Sequence, residues 1–225
     1  MIPSSNEVQS LKLAISNGKS KLRSFLSSGS VSKLPEHVLN LQKELVKKYG
    51  MLEDLVLARE GGKLLKDPHL YNLHGERLEY ALYKDVYRGI FKYFRAEISK
   101  SSVKPITRKR VNDTLLTFFR HSFKTFELKL EKFKTLAGEL HLKKDKLILI
   151  DKIFRILVIL GDLERYRASA LSLRNAVVNY SKAEAYYCRA NFLNRYESDI
   201  NPHLLLGTIA NAKKQFLKKT FFLKK

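Results

Sequence analysis

The chain has 225 residues, and its 43 Lys and Arg against 22 Asp and Glu give a formal net charge of +21, which favours polyanionic partners: nucleic acid, an anionic membrane face or phosphorylated segments. A single cysteine, Cys188, excludes an internal disulfide framework and a Cys-based structural zinc site and suits a reducing compartment. The N-terminus has no basic-then-apolar leader and no window reaches the roughly 18 uninterrupted apolar residues of a membrane span, so a soluble protein without a membrane segment is expected, in the nucleus first and compatibly in the cytosol.

Few prolines and glycines, and no period-two runs bounded by hairpin turns, predict an all-α chain. A first helix is expected from Ser4, whose spacing to Glu7 fits a capping box, to about Phe25, ahead of the break "SSGSVSKLP". Pro35 opens the second, which carries a helical stripe of Val38, Leu41, Leu45, Tyr49, Leu52, Leu55 and Val56. Then come "ERLEYALYKDVYRGIFKYFRAEI", the loop "SKSSVKP" and a long amphipathic run from Ile106 to Leu140. The most apolar helix starts near Asp145 and runs through "GDLERYRASALSL". Ser181 with Glu184 fits a capping box for the next helix, and Asn201 with Pro202 fits the start of another. Ala183, Tyr187, Ala190 and Leu193 share one helical face with small residues at points of close approach, a tetratricopeptide-like pattern preceded by Leu160-Gly161.

Most chemical constellations fail. Gly18-Lys19-Ser20 lacks the earlier glycine and the strand of a phosphate-binding loop. The six histidines lie far apart with no ligand spacing, so no metal or cofactor is expected, and Cys188 reads as a small hydrophobe. No catalytic set emerges, and the chain is expected not to be an enzyme. Arg88 and Arg95 do stand out. Seven residues apart, they fall about 20° apart around a helix and ~10 Å apart along it, so two guanidinium forks can grip one phosphate. Lys84 and Lys92 are expected near the same face. A second set is the charged end of the apolar helix, where Asp162, Arg165, Tyr166 and Arg167 emerge from a segment that must be buried on most sides. The i, i+3 pair Asp162 and Arg165 can hold a guanidinium in place, either structurally or toward a ligand.

The segments "LGDLERYRASA", "YSKAEAYYCRANFL" and "NPHLLLGTIA", in that order, with "LEYALYKDVYRGIF" upstream, resemble the family of the telomerase subunit Est-one and the nonsense-mediated-decay adaptors SMG-five, SMG-six and SMG-seven. The resemblance covers residues 38–222. It implies an antiparallel 14-3-3-like helical array with tetratricopeptide-like helix pairs over a single domain, 1–225, that forms the N-terminal part of a longer protein. It also implies a groove that binds phosphoserine or phosphothreonine segments, with Arg165 and Tyr166 matching one phosphate motif and Arg88 and Arg95 matching the other. Lys84, Lys92 and Asp162 are then supporting residues. The family's Pro-x-Asn-Gln segment is replaced here by "PHLL", which removes an Asn able to contact peptide backbone.

The expected function is a phosphopeptide-binding adaptor of this type, first recruiting telomerase to phosphorylated telomere proteins, with a decay adaptor as the alternative. A basic helical scaffold for RNA or single-stranded DNA is the other-class reading. Its candidates are Arg108, Lys109 and Arg110, Lys143 and Lys144, and Lys213, Lys214, Lys218 and Lys219. The oligomeric state stays open.

Overall fold

Helix dominates wherever the backbone is described, which in the computed structural model is residues 5–27, 34–60, 63–64, 77–99, 105–172, 179–193 and 204–211. Helix α1 is Ser5–Ser27 and α2 is Leu34–Val56. A short antiparallel ladder follows, β1 (Arg59–Glu60) with β2 (Lys63–Leu64), pairing Arg59 with Leu64 and Glu60 with Lys63. Helix α3 runs as Leu78–Leu82, a π-helical turn Tyr83–Arg88 and Gly89–Ser99. Then come α4 (Pro105–Glu139), α5 (Lys143–Ser172), α6 (Ser181–Leu193) and a last described helical stretch, α7, at 204–211. The array is all-α, as the helical periodicity predicts. The ladder is a departure: the runs are too short for period two to register, although Gly61-Gly62 between them is a hairpin signal.

Helix α5 takes the central place. Leu149, Phe154, Ile156, Leu157, Val158, Ile159, Leu160 and Leu163 are all buried, because α4 and α6 pack along its length and the start of α3 crosses it. Its polar interruptions are satisfied across that crossing. Lys152, 1 % exposed, lies 3.3 Å from the buried Glu79 of α3, and Arg155 donates to the same carboxylate at 2.6 Å while pairing with Asp151. Burial opposes the charge of Glu79, but Lys152 and Arg155 together hold its carboxyl below the ordinary value. Breaking such a buried cluster on one side costs about 3–5 kcal/mol, because an uncompensated charge is left inside.

The second half of α3 is fixed on α4 by aromatic packing, with Phe91 stacked on Phe119 at 4.3 Å between centroids and Phe94 against Phe118 at 5.4 Å. Helix α6 meets α5 at the tetratricopeptide-like face: Ala183, Tyr187 and Ala190 are buried and Leu193 is half-buried. Gly161 is required there, since a Cβ on it would stand 2.3 Å from Tyr187 Cε1. The α6 start differs from the expected capping box. Asn179 accepts the Ser181 amide at 2.9 Å, and Ser181 itself already stands in the helix. Ser4, Asn201 and Pro202 lie outside the described residues, as do Lys213, Lys214, Lys218 and Lys219.

Candidate functional site

The π-turn decides which cations share a face. Closing hydrogen bonds i to i+5, it takes up about one extra residue, so side chains before it are rotated by about 100° relative to those after it. Arg88 is its last residue, and Arg88, Lys92 and Arg95 therefore keep regular helical spacing and line one cavity of ≈150 Å³. Lys84 is the second residue of the turn and so loses the regular helical spacing to Arg95. It lines a different groove, beside Lys12, Lys19 and Arg23 of α1 and next to Asp85. The expectation that Lys84 supports the Arg88 and Arg95 face is corrected accordingly, and its cause is a local i to i+5 geometry that side-chain periodicity does not reveal.

Helix α5 supplies the facing wall. Tyr166 and Ala170 line the same cavity as Arg88 and Arg95. Arg95 and Tyr166 also line an adjoining cavity of ≈120 Å³ together with Arg165, Ser169, Tyr180 and Thr208. Arg88, Arg95, Arg165, Tyr166 and Lys92 are thus gathered around two adjoining cavities.

The two sides differ in how their charges are held. Arg165 Nη2 donates to Asp162 Oδ1 at 2.9 Å and its Nε donates to Tyr187 Oη at 3.4 Å. Asp162 in turn accepts Tyr187 Oη–H at 2.8 Å on Oδ1 and Tyr83 Oη–H at 3.4 Å on Oδ2. One carboxylate therefore ties α3, α5 and α6 together. Burial works against the Arg165 charge, yet Asp162 and the Tyr187 hydroxyl outweigh it and raise its proton affinity further. Burial and the Asp162 charge push the Tyr83 and Tyr187 hydroxyls well above the ordinary tyrosine range, so both stay neutral donors. The guanidinium also lies over the Tyr166 ring, 4.6 Å from its centroid.

Arg88, Lys92 and Arg95 have no such arrangement. Among the described residues no carboxylate pairs with any of them, and the Arg88 Nε is buried with no hydrogen-bond acceptor. In a chain with more cations than carboxylates, unpaired surface lysines are ordinary. A buried guanidinium nitrogen left without an acceptor is costly and calls for an oxygen, from an ordered water or from a ligand.

Arg167 lies on the other side of α5. Its Nε and Nη2 donate to Glu164 Oε2 at 2.9 and 2.7 Å, and its guanidinium sits 5.9 Å from the Phe123 ring centroid of α4. The other basic candidates are apart from this site. Arg108, Lys109 and Arg110 are exposed in the first turns of α4, and Lys143 and Lys144 are exposed at the start of α5. Sequence reasoning missed the cluster of Lys12, Lys19, Arg23 and Arg77, although the spacing of Lys12, Lys19 and Arg23 puts them on one face of α1. It also missed the hydroxyls of Tyr180 and Thr208, which only the return of α6 and α7 brings near Arg165. Among the described residues, no group of three or more His, Cys, Asp or Glu is gathered as a metal site, and no helix is long and apolar enough to cross a membrane.

What the fold and site define is an all-α helical array with a concavity rimmed by arginines. No known family model matches the chain, and no curated protein gives a significant sequence match.

Proposed function

We propose that this chain is a phosphoserine- and phosphothreonine-binding adaptor domain of the Est/SMG type, one that recruits telomerase to phosphorylated telomere proteins. The observation that carries the reading is the buried, acceptorless Nε of Arg88 beside the unpaired Lys92 and Arg95, opposite an Arg165 already oriented by Asp162. A phosphomonoester brings about two negative charges and three acceptor oxygens. It can accept from several guanidinium forks at once, whereas a single carboxylate satisfies fewer of these donors. The charge of +21 suits a partner containing RNA and tilts the reading toward telomerase, with an mRNA-decay adaptor, which also meets RNA, as the alternative. The exposed Arg108, Lys109 and Arg110 support contact with RNA or single-stranded DNA outside the groove.

Fluorescence anisotropy with a phosphoserine peptide, its unphosphorylated twin and a short RNA tests the proposal. The wild-type chain is expected to prefer the phosphopeptide by at least about tenfold, one charge-assisted hydrogen bond's worth. Arg88→Glu should abolish that preference and leave the circular dichroism spectrum unchanged. RNA binding together with equal affinity for the two peptides refutes the adaptor reading and leaves the basic scaffold.

A further inference from the structure

We infer that the peptide bound here carries an aliphatic or single-ring side chain within two residues of its phosphorylated residue, and that this side chain enters the cavity beneath Arg88 and Arg95. The inference rests on the phosphopeptide reading and specifies what else that ligand must present. Two adjoining cavities with different linings carry it. The larger, ≈150 Å³, has its depth formed by Phe91, Ile98, Leu115, Phe119 and Ala170, all of them buried. Its cations are at the mouth, where Lys92 and Arg95 are exposed and Arg88 is half-buried.

That volume is about the size that lodges one benzene ring. A phosphate gains little from the depth, where it would exchange water for aromatic and aliphatic carbon; in this cavity its oxygens find donors only toward Arg88, Lys92 and Arg95. The smaller cavity, ≈120 Å³, is lined by two guanidiniums, Arg95 and Arg165, by the hydroxyl-bearing Tyr166, Ser169, Tyr180 and Thr208, and by one aliphatic residue, the buried Ile209. Phosphate oxygens find donors on that side and at the mouth of the larger cavity, from Arg88, Lys92 and Arg95. The carbon-lined chamber is left for carbon. Because Arg95 and Tyr166 line both chambers, a chain advancing about 3.8 Å per residue between Cα atoms reaches from one to the other within two residues. The unpaired cations at the mouth decide the kind of occupant: an apolar group that arrives with a strong anion beside it, which a neutral apolar helix does not offer.

The test uses labelled peptides with a central phosphoserine in an Ala/Ser background, with Leu placed at each of the two positions before and after it, and the unphosphorylated twin of each. For the wild-type chain, one Leu position is expected to tighten binding by about tenfold over the all-Ala peptide, the order of burying one aliphatic side chain. Ala170→Leu fills the chamber and should erase that gain. Retention of the phosphate ratio, phosphorylated over unphosphorylated affinity, in the wild type with no Leu position worth more than about twofold overturns the inference and leaves the phosphopeptide reading standing. Loss of the phosphate ratio with every peptide overturns both. A Leu gain that is the same without phosphate makes the chamber an independent apolar site and overturns the inference. The wild-type peptide series decides these outcomes even if Ala170→Leu does not fold.

Discussion

Arg165 and Arg167 stand two residues apart on α5, and replacing each by Ala separates a ligand-facing arginine from a structural one. Arg165→Ala removes a partly exposed bridge to Asp162, whose side chains are 25 % and 19 % exposed. Such a pair contributes about 0–1 kcal/mol after solvent screening, and Asp162 keeps its bonds from Tyr187 and Tyr83. The melting temperature should fall by no more than about 4 °C, since 1 kcal/mol shifts a domain of this size by about 2–4 °C. Phosphopeptide binding should weaken far more, by about ten- to hundredfold, the loss of a charge-assisted hydrogen bond worth about 1.5–3 kcal/mol. Arg167→Ala should do the reverse. It strands Glu164, which is 9 % exposed, at a cost of about 1–3 kcal/mol for an acceptor left unsatisfied, and it faces away from the cavities. Thermal melts beside peptide titrations read both effects. An Arg165→Ala chain that melts early and still prefers phosphopeptide refutes the assignment of Arg165 to the ligand.

Gly161→Ala should overpack the α5 and α6 crossing, because the new Cβ meets the Tyr187 ring at 2.3 Å. The cost is about 1–3 kcal/mol, and the displaced Tyr187 should weaken phosphopeptide binding through Asp162; unchanged melting would mean the crossing has room. Glu79→Gln should lower the melting temperature by about 6–20 °C at neutral pH, from the 3–5 kcal/mol of a broken buried cluster. The carboxyl of Glu79 is held below its ordinary 4.5 in the folded chain, so its contribution is complete above that value and is lost as pH falls through the folded value. Urea melts between pH 3 and 6, by order of magnitude the acid range of carboxylates, should show a steeper loss in the wild type than in the variant, and parallel profiles would exclude Glu79 as the source.

The helices were legible where a local signal marks them. Pro105 opens α4 where a proline at the first helical position is favoured, and the apolar run of α5 reads directly as burial on several sides. What stayed hidden depends on partners distant in sequence. Nothing local to Lys152 announces that it is 1 % exposed, because its partner Glu79 lies 73 residues away. The π-turn is hidden for another reason: "YKDVYR" has ordinary helical composition, while the turn's Tyr83 and Tyr87 both pack against Phe126 of α4, a contact no local pattern announces. Both features involve α3, through Glu79 and through the π-turn, and α3 has neighbours in α1, α2, α4 and α5. Tertiary packing there outweighs local pattern. Of the candidate site, Arg88, Arg95, Arg165 and Tyr166 could be named from motif spacing, whereas the apolar chamber between them could not, since its lining comes from three helices.

The polar end of the otherwise buried α5 follows from what Asp162 does. A carboxylate at that depth needs donors, and it receives three: a guanidinium of its own helix, a hydroxyl from α3 and a hydroxyl from α6. The same bonds occupy the Nε and Nη2 edge of Arg165, while the Tyr166 ring supports its face. A long side chain that normally loses rotamer freedom on binding is thereby ordered beforehand, and the cost of fixing it falls on folding instead of on the ligand. Arg88, Lys92 and Arg95 contribute three further charges with no carboxylate among the described residues to offset them. Four cations against the single Asp162 leave an excess of three, which a phosphate of about two charges reduces without reversing. A monovalent carboxylate leaves two of those three charges uncompensated. The imbalance, together with one arm already oriented and another still lacking an acceptor, is what favours phosphate over carboxylate in the proposed reading.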